Sequence, residues 1–145
     1  MTRVSLLNMA WGFTLIFVAA CGGVFVALNT TESFIRGPVQ PEWQALLQTA
    51  SHGHLTLFGM IHILLGLTIP YAKSSPFENR IKSIGVGLGS LAMGPLLLIR
   101  GILGPTLSTE LNGVLIGVCL SCALCAIAYH ALGIFLKLAS ESDLT

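Results

Sequence analysis

The chain has 145 residues, 54% of them hydrophobic and 9% charged, with a net charge of +1 and a mean hydropathy of +0.85. A soluble domain of this length needs far more polar surface, so the composition excludes one and reads as an integral membrane protein. The charges are too few and too dispersed along the sequence for nucleic acid or an acidic partner, and no local basic cluster reads as a phosphate-binding face.

A helix needs about 20 residues to cross a bilayer. Four apolar runs reach that length, at about 6–28, 52–72, 83–103 and 111–136. The expected fold is therefore all-α: an integral membrane four-helix bundle forming one domain over residues 1–145. In the first span, Arg3 precedes an apolar run through Val18-Ala19-Ala20-Cys21 that has the outline of a secretory or lipoprotein signal. Apolarity continues past Cys21 to Leu28, which favours a retained span. The connector 29–48 holds a formal glycosylation sequon at Asn29-Thr30-Thr31, meaningful only in a secretory-pathway protein, and a break at Gly37-Pro38. Pro41-Glu42-Trp43 then reads as a helix start that extends span two above the membrane and sets Trp43 near the headgroups.

Span two carries His52, His54 and His62, three of the chain's four histidines. An ionisable side chain at membrane depth is costly and marks a functional candidate. Imidazole also suits both metal ligation and proton transfer. Residues two apart on a helix point about 200° apart, so His52 and His54 address opposite flanks and cannot easily share one metal. His62 lies about 80° around from His54 and roughly 12 Å along the axis, a third location.

The connector 73–82 concentrates Lys73, Arg80 and Lys82, while Arg3 and Lys137 flank the same ends of spans one and four. By the positive-inside rule these regions, and with them both termini, face the cytoplasm or its organellar equivalent. His52, His54 and Arg100 then lie near the outer surface, and His62 and His130 in the inner half.

Span three holds a GxxxG pair, Gly85 and Gly89, for close helix contact, and a Gly94-Pro95 step that should kink it. Arg100 is the one charged residue inside a span. It snorkels, pairs with Glu110, or serves as counter-charge to an anionic cofactor group near His54. In span four, Cys119, Cys122 and Cys125 form a drifting helical stripe, which reads as packing, since iron-sulfur motifs wrap their cluster from loops. His130 and His62 lie at similar depths above the inner ends of their spans, so the two could ligate one iron axially. Gly59, Gly66 and Gly133 beside them either leave room for a macrocycle or let helices approach closely. Both readings stand at this point.

The segment Ser51-His52-Gly53-His54-Leu55-Thr56-Leu57-Phe58-Gly59 resembles the histidine-bearing helix of the catalytic subunits of haem-copper oxidases and nitric oxide reductases. There an HxH pair gives one axial ligand to each of two haems. The resemblance implies that His52 matches the high-spin and His54 the low-spin haem ligand. It stops at this helix: four spans and no histidine in spans one or three do not imply oxygen or nitric oxide reduction.

No GxSxG, Walker or Rossmann-type pattern is present, and all six acidic residues lie outside the four apolar runs, against a proton-coupled transporter. The expected function is a haem-b-binding membrane protein for electron transfer, or a haem-carrying subunit of a respiratory-type complex. His52, His54, His62, His130 and Arg100 are its candidate residues. A cofactor-free accessory subunit and a copper- or zinc-binding protein are the alternatives. The expected surroundings are the bilayer of a bacterial cytoplasmic membrane or an equivalent organelle, with other membrane subunits or a second copy as partners and no nucleic acid.

Overall fold

The structure, a computed structural model, describes residues 1–38, 40–104 and 111–142. All regular structure among them is helical: α1 (Arg3–Arg36), α2 (Glu42–Thr68), α3 (Pro76–Leu91), α4 (Leu97–Leu103) and α5 (Leu111–Ser142). A 3₁₀ turn, Ile69–Tyr71, closes α2, and a π-helical turn, Ala92–Leu96, fuses α3 to α4. Four rods are thus long and apolar enough to cross a membrane.

Local chemistry sets the helix starts. Thr2 caps α1 by accepting from the Ser5 N–H at 3.1 Å. Ser75 and Glu78 form a reciprocal capping box with Pro76 in the first turn of α3. Pro95 has no N–H to donate, and its ring crowds the preceding turn; the wider π turn absorbs both defects where the sequence predicts a kink.

Lipid gives helices no hydrophobic reason to associate, so close packing between small residues must hold the rods. A Cβ on Gly12 of α1 would lie 2.5 Å from the Gly59 carbonyl of α2, and one on Gly66 would lie 2.6 Å from the Ser5 carbonyl. Gly59 and Gly66 therefore admit a helix. The GxxxG pair of α3 does likewise, Gly85 meeting Ala126 of α5, and Gly89 meeting both Ala123 and the Phe58 ring of α2. In each pairing the residue numbers run in opposite senses, so neighbouring rods are antiparallel. The beginnings of α1 and α3 and the end of α5 share one end of the bundle, the basal end. Its core unites Phe58 and Leu65 of α2, Ile69 of the 3₁₀ turn, Val86 of α3, and Ala123 and Ala126 of α5; α1 packs chiefly on α2.

Two expected connectors differ. α1 continues to Arg36, so residues 29–36 are helical, with the Thr30 and Thr31 hydroxyls bonded back to the Val26 and Ala27 carbonyls at 2.8 and 2.9 Å. The reversal is confined to the stretch after Gly37, whose φ of +89° suits glycine. Lys82 is no solvated loop cation, because α3 begins at Pro76 and carries it inward to 1% exposure. Its Nζ rests 4.9 Å from the centroid of the Tyr129 ring, which supplies favourable electrostatics in place of water. Tyr129 in turn donates to Glu78. The proposed Arg100–Glu110 pair lies partly outside the described residues.

Candidate functional site

The α2 histidines occupy unlike settings. At the deep position, His62 is 2% exposed and both ring nitrogens are engaged. Asn8 of α1 fixes the proton arrangement: its Nδ2 donates to the Val4 carbonyl at 2.9 Å and to Ser83 Oγ at 2.7 Å, so its Oδ1 faces His62 Nδ1 at 3.0 Å. That oxygen accepts, hence Nδ1 carries the proton and Nε2 accepts from Ser90 Oγ at 3.2 Å. Ser83 passes its own proton to the Asn79 carbonyl at 2.7 Å. His62 thus ties α1, α2 and α3 together.

His130 on α5 meets a different residue. Thr68 spends its hydroxyl proton on the Leu64 carbonyl, 2.6 Å away, and must accept from His130 Nε2–H at 2.8 Å. The His130 Nδ1 lone pair is buried with no hydrogen-bond partner among the described residues. Among the described residues, His62 and His130 are held by separate hydrogen-bond networks, Asn8 and Ser90 for the one and Thr68 for the other. Gly133, beside His130, packs on the backbone of Lys73.

The HxH pair behaves otherwise. His52 and His54 are half-buried, and each Nδ1 lies 2.7 Å from a backbone carbonyl, Ala19 of α1 for His52 and Ala50 of its own helix for His54. A carbonyl can only accept, so each Nδ1 bears the proton and each Nε2 presents its lone pair. Such anchoring is the usual outer-shell support of a metal-bound imidazole. The His52 ring fits because Gly23 has no side chain: a Cβ there would lie 2.6 Å from its Cε1. Ser51, next to it, donates to the Gly94 carbonyl at 2.8 Å and pins α2 to the π turn. A cavity of about 410 Å³ opens beside His52 between α1, α2 and α4, walled by Phe25, Leu55 and Leu98, with Gln48 and Ser51 polar.

Arg100 stands in the last turn of α4, next to Gly101, whose bare side receives Leu47 of α2. Cys21, Cys122 and Cys125 are exposed and Cys119 is half-buried, all as free thiols, so most of the cysteine stripe faces outward and not into a packed core. Among the described residues no three His, Cys, Asp or Glu side chains gather to hold a metal ion. A haem would ask less of the chain, one imidazole or two, and the Nε2 atoms of His52 and His54 are the donors that would suit it.

Asn8, Ser83, Ser90 and Lys82 escaped the sequence reading. Asn8 and Ser90 had a legible signal, an uncharged polar side chain inside an apolar run, which in lipid needs a partner on another helix. Lys82 had none, since it is hydrophilic, close to the membrane end, and reads as a loop residue. No family model, curated protein or solved structure matches the chain.

Proposed function

We propose that the chain is a haem-b-carrying membrane protein that serves electron transfer as a subunit of a respiratory-type complex, in which His52 and His54 would hold haem. One observation carries the reading: both imidazoles of the HxH pair are oriented through Nδ1–H to backbone carbonyls, leaving Nε2 free to ligate. Haem, when bound, supplies one-electron chemistry. The chain's own residues hold the rings: Ala19 and Gly23 seat His52, Ser51 fixes its helix, and Arg100 offers a guanidinium suited to a propionate. The two histidines point to opposite flanks, so each site takes its second ligand from a neighbouring subunit or a second copy. The basal end, with Arg3, Lys73, Arg80 and Lys137, faces the cytoplasm or its organellar equivalent.

A cofactor-free accessory subunit is the second reading, favoured by the closed partnership of His62 with Asn8 and Ser90. An absorption spectrum of the full chain purified in detergent from haem-replete cells separates the two. The haem reading expects a Soret band that shifts on reduction, loses part of its intensity in His52→Ala or His54→Ala and all of it in the double variant, and survives His62→Ala. A colourless, metal-free preparation overturns it, and copper or zinc by metal analysis would move the HxH pair to a metal-binding role.

A further inference from the structure

A concavity with a defined polar end lies away from the HxH pair. α1 and α3 touch only lightly near their beginnings, and between them runs a lateral groove of about 520 Å³, within the usual range for a small-molecule site. Leu7, Trp11 and Ile84 form its apolar walls, and Arg3 and Arg80 line it as well. These arginines are 77 positions apart in sequence, and the parallel course of α1 and α3 brings both to the basal end. Neither has a carboxylate partner among the described residues.

We propose that this groove binds one anionic glycerophospholipid, its phosphate held by Arg3 and Arg80 and an acyl chain lying along Leu7, Trp11 and Ile84. Three features point to that occupant. Guanidinium groups match phosphate in a forked geometry, and basic pockets between membrane helices near the surface suit anionic headgroups. The walls are apolar and open sideways toward lipid, as an acyl chain requires. The polar bed of the groove is already spent: Asn8 uses both amide protons on Val4 and Ser83, Ser83 donates to Asn79, and His62 Nδ1–H is held by Asn8. A neutral headgroup seated deep, such as a quinone, finds no free donor there; the unspent chemistry is cationic and belongs to the two arginines.

Native mass spectrometry of the full chain, released from micelles carrying phosphatidylglycerol or phosphatidylcholine, tests the site. Two basic residues, each worth about a factor of five, predict a preference for phosphatidylglycerol of roughly thirtyfold that falls as salt rises. Arg3→Gln with Arg80→Gln should erase it. Gly87→Leu is the steric counterpart, because a Cβ at Gly87 meets nothing within 4 Å and the longer side chain fills the groove with both arginines intact. It should lower retention of both lipids. Equal retention of the two lipids, or phosphatidylglycerol binding unchanged in both variants, overturns the proposal, as does a co-purifying quinone that survives the double arginine substitution and displaces the lipid. The haem spectrum is untouched in every case, so this outcome is separate from that of the HxH site.

Discussion

Replacing Asn8 with Ala should show whether the deep histidine is a structural tie. The substitution removes two bonds between helices, to Ser83 and to His62. At about 0.6 kcal/mol for an average interhelical hydrogen bond in a membrane protein, that loss is about 1.2 kcal/mol. It also strands the Nδ1–H of His62, 2% exposed, and an unsatisfied buried donor costs about 1–3 kcal/mol. The expected total is about 2–4 kcal/mol, readable as a shifted midpoint in reversible unfolding by SDS in mixed micelles. The decisive variant is the double one. In a His62→Leu background no donor is left to strand, so Asn8→Ala combined with His62→Leu should cost at least about 1 kcal/mol less than the two singles added together. Additivity within about 0.5 kcal/mol would refute the network, and with it the argument that His62 is spoken for.

Glycine substitutions should divide sharply by position: Gly12→Leu drives a side chain into the Gly59 carbonyl and Ile63 and should separate α1 from α2 at a cost of about 1–3 kcal/mol or more, whereas Gly22→Ala, with nothing within 4 Å, should leave the unfolding midpoint unchanged or raised by the better helix former. Topology is checked by reporter tags, with one near Ser75 expected on the cytoplasmic side and one near Gly37 on the other; reversed labelling would place the HxH pair in the opposite leaflet.

The four rods were legible because the spanning signal depends on length and apolarity, quantities that need no tertiary information. The π turn was legible as a kink at Gly94-Pro95, since proline cannot continue the ladder whatever surrounds it. The extent of α1 was not: Asn29, Thr30 and Thr31 look like loop residues, but threonine hydroxyls can return to carbonyls one turn back, and the helix continues to Arg36. The roles of the histidines split in the same way. Their presence at membrane depth and the opposite facing of His52 and His54 follow from helical geometry alone. Their hydrogen-bond partners do not, because Asn8 lies 54 positions from His62 and Ala19 lies 33 from His52.

That partnership makes the two halves of α2 chemically unlike, although one apolar pattern runs through both. Toward the basal end, Gly59 and Gly66 press α2 against the α1 backbone, and His62, in the bed of the groove between α1 and α3, has both ring nitrogens taken by Asn8 and Ser90. A ligand to His62 would have to displace one of those hydrogen bonds. Toward the other end, the carbonyls that hold His52 and His54 take only Nδ1, and a Cβ built on Gly53 between them would meet nothing within 4 Å. The π turn bears on this same half, where Ser51 reaches across to the Gly94 carbonyl one residue before the pair. Irregular backbone in a membrane helix is tolerated when a neighbouring side chain satisfies the groups it frees, and such π turns recur at functional sites. On the proposed reading, the half-buried imidazoles of His52 and His54 beside the π turn carry function, and His62, held between Asn8 and Ser90, carries stability.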